Sequence, residues 1–398
     1  MIKLKLCYIF LSAGLKSDSV QKKVISQIKG LNDSGVECRG FFLTNDVNED
    51  TVFDKNIILI PYPTTHKRFF NIIFQKKILL NFVKNYLTQN LKTDEYIYLR
   101  YPGVSFELYK LANKFKNRII SEHQSKEIDE IKSLRNEHPI SLNISKLISY
   151  FLYQFWPIFN EVIWSKPYSK RLLAKVAVTN EIAIYHKRFC KNVWVVPNGI
   201  ETDNYKLRIP PKLEKKIKII FLKGTSGHAP WNGLDRLINS IDNYPHREKL
   251  ELIICGSIIE DEIPFREYIK LTGYLNSEEL DTLISSVHFG FSTLCLFRKH
   301  LNEAAVLKAR EYFARGIPFV YGYTDPDLEN LKSAKKYSFK VSNDDTLINF
   351  DEVINFVKNV YTDPLYATKM RTIAIENLDW KAKMNQLKIN IIQQINNA

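Results

Sequence analysis

Short apolar runs alternate with helical patterns along the first half of the chain. In the helical patterns apolar residues recur three and four positions apart, as at Val20, Val24, Ile28 and Leu31. Strands are predicted at 5–12, 36–44, 56–61, 96–100, 117–121, 176–179 and 194–196. Helices are predicted at 17–31, 69–87 and 104–115. This alternation is typical of a parallel β-sheet covered by helices.

A second series of alternating elements begins after a break in the middle of the chain. Pro197-Asn198-Gly199 is a turn signal, and Pro210-Pro211 opens a Lys-rich stretch. Strands follow at 217–222, 250–255, 269–273, 288–292 and 319–321, with helices at 234–241, 277–286 and 304–314. We expect Ser277 to cap the helix at 277–286.

The fold class predicted from this pattern is α/β, with two Rossmann-like domains whose parallel sheets face each other across a cleft. Residues 1–205 would form the N-terminal domain and 206–375 the C-terminal domain. Residues 376–398 would form a final helix that packs back toward the N-terminal domain. Ligands of such sheets bind at the carboxyl ends of the strands.

The opening segment, MIKLKLCYIFLSAG, allows two interpretations. Two lysines before an apolar stretch resemble a short signal peptide, but the same stretch suits a buried first strand, which we favour. No run of 18 residues is cleanly apolar, so no transmembrane helix is predicted. The segment 147–164 comes nearest, and Gln154, Pro157, Asn160 and Glu161 interrupt it.

Composition is ordinary for a globular protein, whereas charge is unevenly distributed. Of the 398 residues, 45% are apolar and 25% charged, which excludes collagen-like and wholly disordered chains. The net charge is +14, and residues 1–200 carry 30 Lys and Arg against 17 Asp and Glu. The remaining residues carry 27 against 26. A cationic first half favours an anionic partner, such as membrane headgroups, a phosphorylated acceptor or nucleic acid.

A helix predicted within 66–87 interleaves basic residues with Phe, Ile and Leu, and can lie on an anionic membrane. The aromatic run at 150–164 would add to such a surface. The alternative is that both segments are ordinary sheet-covering helices with a solvated Lys face. No nucleic-acid-binding module is recognisable, so a nucleic-acid partner is not expected.

Cysteine and histidine spacing gives no sign of a disulfide framework or a metal site. Five cysteines are scattered without a C-x-x-C pair, and eight histidines are dispersed. Asp325-Pro326-Asp327 matches a D-x-D pattern loosely, but its place late in the second domain favours a turn. We therefore expect no metal and no resident cofactor.

The segment NEAAVLKAREYFARGIPFVYG, residues 302–322, contains two glutamates eight positions apart, Glu303 and Glu311. If a helix begins just after Glu303, both carboxylates can lie near its amino end, where helix amides favour a phosphate. A carboxylate can accept two hydrogen bonds from a vicinal diol of a ribose or a sugar. The spacing alone is common on solvated helices.

This segment resembles the E-x7-E motif of the retaining GT-B glycosyltransferases of family 4, because Gly316-Ile317-Pro318 and a strand follow it. Other landmarks lie in the family's order: VWVVPNGIETDNY, WNGLDRLI, LELIICG, LTGYLNSEELDTLISSVHFGFS and finally Asp379-Trp380. The resemblance covers about 170–325 and is vague before that. It implies GT-B architecture, a nucleotide-sugar donor in the second domain and an acceptor in the first.

The resemblance assigns roles residue by residue. Glu311 would accept hydrogen bonds from the ribose hydroxyls, and Glu303 would contact the donor sugar. Gly224 and Thr225 would approach the diphosphate, and Asn232 and Tyr274 fall at other positions of the nucleotide site. Backbone amides near the first glutamate would hold sugar and phosphate oxygens, namely those of Ala304, Ala305, Val306 and Leu307.

Three residues of the first domain have both a functional and a plain interpretation. The resemblance places His123 beside the reaction centre, in contact with the donor sugar, although a satisfied loop histidine is equally expected. It places Gly14 in a loop that approaches the acceptor and diphosphate, whereas a lone glycine is also an ordinary turn residue. Arg100 could meet an anionic acceptor or form a surface ion pair.

The chain departs from the family where positive charge is usual. The family has Arg after the Gly224 position and Lys at the Asn232 position, but here Thr225 and Asn232 are uncharged. Lys308 is the best replacement for stabilising the departing diphosphate, followed by Lys223 and Arg298. Ala304-Ala305-Val306 replaces the usual Gly-Phe-Gly, so the donor sugar stays open.

The function implied by the resemblance is a metal-independent, retaining sugar transfer. The sugar would pass from a nucleoside diphosphate to a glycan or lipid-linked acceptor in cell-surface polysaccharide synthesis. The protein is expected in the cytoplasm, peripheral to the inner face of the cell membrane. The alternatives are a nucleotide-sugar epimerase of the same fold and a non-catalytic nucleotide-sugar-binding protein.

Overall fold

The computed structural model describes residues 3–11, 19–44, 55–61, 68–133, 143–223, 229–256, 263 and 265–397. The chain divides into two compact units, the first comprising 1–196 with 384–398 and the second comprising 197–383. Each unit has its own parallel sheet and its own apolar core. The α/β class predicted from the alternating pattern is therefore confirmed.

In the first unit the sheet order is β3-β2-β1-β4-β5-β6-β7, with all described strand pairs parallel. Its strands are β1 Lys5–Leu11, β2 Glu37–Thr44, β3 Ile57–Pro61, β4 Glu95–Arg100, β5 Ile119–His123, β6 Ala174–Ala177 and β7 Val193–Val195. Its helices are α1 Ser19–Asp33, α2 Arg68–Asn90, α3 Phe106–Lys114, α4 Glu127–Ser133, α5 Ile144–Tyr150, α6 Trp156–Ser169 and α7 Asn180–Lys187. A π-helical turn, Phe151–Phe155, joins α5 to α6.

In the second unit the order is β10-β9-β8-β11-β12-β13, again with parallel pairs. Its strands are β8 Ile217–Leu222, β9 Leu250–Cys255, β10 Ile269–Gly273, β11 Phe289–Phe291, β12 Phe319–Tyr321 and β13 Ser338–Lys340. The helices are α8 Leu234–Asp242, α9 Ser277–Ser286, α10 Leu307–Arg315, α11 Pro326–Asn330, α12 Phe350–Tyr361, α13 Tyr366–Ile373 and α14 Trp380–Asn396, of which α14 continues into the first unit.

The first strand is central to its sheet, because β1 lies between β2 and β4 and its residues Leu6–Ile9 are buried. The prediction of a strand in the opening segment is thereby confirmed. No helix in the described part of the chain has the length and apolar character that crossing a membrane would require.

The units divide after Val196, whereas the sequence placed a boundary after Tyr205. Residues from Pro197 onward join the second unit because the Ile200 N–H donates a hydrogen bond to the Leu378 carbonyl oxygen. Ile200 also forms a parallel β-bridge with Asp379. The Asp379 carboxylate also accepts the amide of Thr202. Residues from Met384 onward belong to the first unit, where Lys388 donates to the Ser34 carbonyl oxygen at 2.7 Å.

Two helix starts and one helix face differ from expectation. The cap of α9 is Asn276 rather than Ser277, since Asn276 and Glu279 complete a reciprocal capping box. In α2, Leu80 and Val83 are buried in the core, so this part of the predicted membrane-facing stripe packs inward. α10 begins at Leu307 rather than at the predicted residue 304.

Candidate functional site

In the sheet of the second unit, the strand order reverses between β8 and β11. These two strands lie side by side although they are far apart in sequence. At such a switch point the connections leave toward opposite faces and a crevice opens at the carboxyl ends of the strands, where ligands bind. Lys223 directly follows β8, and Thr293 lies two residues beyond the end of β11. Side chains near these two residues are therefore the first candidates for ligand binding.

Lys308, in the first turn of α10, reaches this crevice. Its Nζ donates a hydrogen bond to Asn232 Oδ1 at 3.1 Å and lies 4.6 Å from the centre of the Phe221 ring. Thr293 Oγ1 donates to the same Asn232 oxygen at 3.3 Å. No carboxylate pairs with Lys308 among the described residues, and burial lowers its pKa to about 7. The sequence prediction that Lys308 compensates for an uncharged Asn232 thus has a geometric basis, because the two side chains touch.

Three backbone N–H groups at the start of α10 have no backbone acceptor among the described residues. Val306 caps the helix without a side-chain hydrogen bond, and its carbonyl oxygen accepts from Ala309 and Arg310. Within the described residues, the amides of Ala305, Val306 and Leu307 donate to no backbone oxygen. The amino end of a helix carries partial positive charge and unsatisfied N–H groups, so it suits an anion. The Ala304 amide differs, because it donates to Thr324 at 3.0 Å.

The two glutamates do not share a helix. Glu303 forms a parallel β-bridge with Thr324, and the Thr324 N–H donates a hydrogen bond to the Asn302 carbonyl oxygen. These bonds hold the chain extended here, so the expectation of a helix starting directly after Glu303 is wrong. Glu311 lies on α10, where its Oε1 accepts from Arg315 Nε at 2.8 Å. Both side chains are half-buried.

Arg310, which sequence reasoning missed, organises the surroundings of the helix start. Its fully buried guanidinium donates to both carboxylate oxygens of Asp325, to Asp327 Oδ2 at 2.6 Å and to the carbonyl oxygen of Asn198 at 3.0 Å. Asn198 Nδ2 in turn donates to the Ala305 carbonyl oxygen at 2.9 Å. The Asp-Pro-Asp segment, predicted as a turn, thus caps α11 and anchors Arg310.

Of the other predicted residues of this unit, Tyr274 and Arg298 are described, whereas Gly224 and Thr225 are not. Tyr274, just beyond β10, is 71% exposed. Arg298 is engaged by Asp235 at 2.9 Å and Asp345 at 2.5 Å, which makes it a weaker replacement cation than Lys308. Gly224, Thr225 and, in the first unit, Gly14 lie outside the described residues.

In the first unit, His123 ends β5 with its side chain only 1% exposed. Its Nδ1 hydrogen-bonds Glu127 Oε1 at 2.5 Å, and its ring centre lies 4.2 Å from that of Tyr101 and 4.0 Å from that of His186. Burial, reinforced by His186 and Lys175, lowers the pKa of His123 well below its usual range. His123 is therefore a neutral imidazole inside a buried network.

Folding brings three potential metal ligands of this network together, although the sequence spacing gave no sign of them. Ligand atoms of His123, Glu127 and His186 lie within 4.8 Å of one another, a separation that could hold a metal ion. However, Lys175 Nζ lies 3.2 Å from His186 Nδ1, so this nitrogen of the imidazole already has a partner.

Arg100, at the end of β4, lies opposite Glu122 in the register of β4 and β5. Glu122 is buried and also accepts from Lys23 at 3.0 Å and Gln27 at 3.0 Å. Arg100 Nη1 has no hydrogen-bond partner among the described residues. Its predicted contact with an anionic acceptor remains a prediction.

The fold matches solved glycosyltransferase structures over the whole chain. A glycosyltransferase from Rickettsia africae superposes with a TM-score of 0.63 at 15% identity, with 100% of both chains covered. WaaG, a glycosyltransferase involved in lipopolysaccharide biosynthesis, gives 0.61 at 12% identity, covering 96% of this chain and 99% of its own. HepE from Anabaena in complex with UDP-glucose gives 0.57 at 11% identity, covering 98% and 99%.

Searches by sequence give nothing comparable, since no protein-family model and no curated protein matches the chain. At identities of 11–15%, the structural likeness establishes the fold. Both units have parallel Rossmann-like sheets, and the matches span the full length of the chain. The chain has the α/β fold of GT-B glycosyltransferases.

Proposed function

We propose that the chain is a glycosyltransferase that moves a sugar from a nucleoside diphosphate to a hydroxyl group of an acceptor. The observation that carries this proposal is the Lys308 amine, which lies beside Asn232 near the open amides of α10 without an acidic partner among the described residues. A cation and unsatisfied amides together favour a diphosphate. The structural likeness to HepE with bound UDP-glucose makes UDP-sugars the first donors to test.

In the proposed complex each side chain keeps its predicted role. Glu311 accepts hydrogen bonds from the ribose hydroxyls, and Glu303 contacts the donor sugar. The amides of Ala305, Val306 and Leu307 hold sugar and phosphate oxygens, and Tyr274 lies toward the nucleotide. His123 stays a predicted contact of the sugar from the first unit.

The proposed reaction proceeds with retention. The acceptor oxygen bonds to the anomeric carbon on the face from which the diphosphate leaves, and the bond between that carbon and the diphosphate oxygen breaks. The electron pair leaves with the diphosphate, one of whose oxygens takes the acceptor proton. Lys308 and the amino end of α10 stabilise the charge that develops, and preorganised donors of this kind are worth several kcal/mol. We propose that no metal is required.

The acceptor we propose is a glycan or lipid-linked saccharide of cell-surface polysaccharide synthesis, met at the inner face of the cell membrane. Two findings support this choice. The first half of the chain carries an excess of positive charge suited to anionic acceptors or headgroups. The fold is also shared with WaaG, which takes part in lipopolysaccharide biosynthesis.

The proposal is tested by donor binding and turnover in the glutamate variants. Glu311→Ala should weaken UDP-sugar binding about tenfold, because a ribose contact exists in ground and transition states alike. Glu303→Ala should mainly lower turnover. Thermal shift with a panel of nucleotide sugars measures binding, since a ligand stabilises by mass action. Glu376→Ala, an exposed glutamate of the same unit, is the control.

Different outcomes separate the proposal from its alternatives. Binding without transfer to any acceptor would indicate a nucleotide-sugar-binding protein. Conversion of the donor without acceptor would indicate an epimerase. Full activity of both glutamate variants would contradict the site assignment itself.

A further inference from the structure

An outward-facing stripe of apolar residues follows the continuous helical segment from α5 through the π-helical turn to α6. The stripe residues recur every three or four positions, so they share one helix face. We call this set the outer stripe: Ile144, Leu147, Phe151, Phe155, Phe159 and Val162. Each is between 42% and 76% exposed, and Trp156 and Ile163 widen the stripe.

The opposite face of the same segment is polar and buried. Gln154, Asn160 and Glu161 are each no more than 6% exposed. Gln154 Nε2 donates to the Ile131 carbonyl oxygen at 2.7 Å, and Glu161 Oε1 accepts from Tyr101 Oη at 2.8 Å. A helix on the surface of a water-soluble domain normally has the reverse arrangement. Exposed apolar surface of this extent marks an interaction site.

The aromatic rings of the segment form a continuous wall rather than separate contacts. Phe151 and Phe155 stack at 5.5 Å between ring centres, and Phe155 and Phe159 stack at 6.1 Å. Trp156 stacks on Phe159 at 5.7 Å. Because these rings are already ordered against one another, a partner surface would bury them at little entropic cost.

Within its own segment of the chain, the exposed charges that flank the outer stripe are all positive. From 143 to 180 the sequence contains a single acidic residue, the buried Glu161. Exposed lysines flank the stripe at both ends, with Lys146 on one side and Lys166 and Lys170 on the other. Long lysine side chains can keep their ammonium groups at headgroup level while their stems lie along apolar surface.

We propose that the outer stripe is a membrane-docking surface that lies in the interface of an anionic lipid bilayer. A helix with aromatic residues on one side and lysines at its edges suits this position. The polar face is already buried against the first unit, so the segment would lie along the bilayer with only the stripe immersed. This inference deepens the proposed function, because it names the surface that would meet a lipid-linked acceptor.

A second copy of the chain is a poorer occupant of the same surface. Antiparallel pairing of two outer stripes would bring Lys146 of one copy toward Lys166 and Lys170 of the other. No acidic side chain lies exposed between 143 and 180 to compensate. Like charges facing each other destabilise such an interface, whereas anionic headgroups would neutralise all three lysines.

The test compares vesicle flotation of the full chain and two matched variants. The stripe variant carries Phe151→Ser, Phe155→Ser and Phe159→Ser. The control carries Ile209→Ser, Phe265→Ser and Leu347→Ser, three exposed apolar residues of the second unit. The wild type and control should float with vesicles of phosphatidylcholine and phosphatidylglycerol, and the stripe variant should bind at least tenfold more weakly. Pure phosphatidylcholine should retain less of the wild type.

Each outcome decides between the occupants. Failure of the wild type to bind anionic vesicles, or equal binding by the stripe variant, would overturn the proposal. A wild type that is dimeric in solution, does not bind vesicles and becomes monomeric in the stripe variant would assign the surface to a second copy. Thermal stabilisation by UDP-sugar, measured on the same samples, reports folding and the donor site independently of membrane binding.

Discussion

The Lys308 side chain is partly buried, and it also carries an amine that can be positively charged. Its amine is half-buried beside Asn232 and the Phe221 ring, with no carboxylate partner among the described residues. Burying an ammonium without a counter-charge costs stability. A group kept at such a cost is expected where function needs it, because active sites often trade stability for preorganised charge.

We therefore predict that Lys308→Met stabilises the free protein while it damages the site. The midpoint of thermal unfolding should rise by a few degrees, because burying an amine that has no acidic partner typically costs roughly 1–3 kcal/mol. Turnover should fall by about 10²–10³, the effect of removing one transition-state donor. Differential scanning fluorimetry and initial rates measure the two effects.

The matched control is Lys358→Met, an exposed lysine on α12. Lys358→Met should change neither the midpoint of thermal unfolding nor turnover. Asn232→Lys in the Lys308→Met background should recover part of the lost turnover, because Asn232 lies within 3.1 Å of the original amine. Near-wild-type turnover of Lys308→Met would refute the role and move it to Lys223.

The same amine should make donor binding depend on pH. Burial lowers the pKa of Lys308 to about 7 in the free protein, and a diphosphate would raise it by stabilising the ammonium. Binding then takes up a proton above pH 7, so affinity for UDP-glucose should fall as pH rises, by up to about tenfold per unit. Calorimetry at pH 7 and 8.5 tests this. An equally steep fall in Lys308→Met would contradict it.

At the scale of the element, apolar runs ending in glycine were predicted well and the start of α10 was not. β8, β9, β10 and β12 have the predicted bounds, and in β8, β9 and β12 this follows because buried parallel strands are mainly apolar. The sequence could not show that Thr324 bridges Glu303, since this contact depends on the fold. For the same reason it could not show that Arg310 joins α10 to Asp325.

The Arg310 network should therefore be structural and should act on the site indirectly. Asp325→Ala leaves a fully buried guanidinium short of its partner, and breaking a buried pair typically costs about 3–5 kcal/mol. Arg310→Met should cost a similar amount, and the double variant much less than the sum. Thermal unfolding of the three variants measures the coupling, and strictly additive losses would show that the pair does not interact.

At the scale of the whole molecule, two Rossmann-like units follow from two series of alternating elements, and the charge excess of the first half follows from composition. The inverted helix face at 144–163 could not be predicted, because an amphipathic helix normally buries its apolar face, and here the polar residues Gln154, Asn160 and Glu161 are buried instead. Which face of the helix is exposed depends on the π-helical turn and on the contacts that the buried face makes with Ile131 and Tyr101. Long-range packing, which no local pattern encodes, also assembled His123 with His186.

The distribution of charge between the units leads to a prediction about metals. In the second unit, Lys308 is the cation proposed to neutralise the diphosphate. The cluster of His123, Glu127 and His186, which could hold a metal ion, lies in the first unit, where Lys175 Nζ already contacts His186 Nδ1. Transfer by the wild type should therefore survive EDTA and dialysis. In Lys308→Met, millimolar Mg²⁺ should restore part of the turnover, because a divalent ion can replace the missing charge on the diphosphate. Initial rates with and without Mg²⁺ test this, and a wild type that loses activity in EDTA and regains it with a divalent ion would contradict metal-independent transfer.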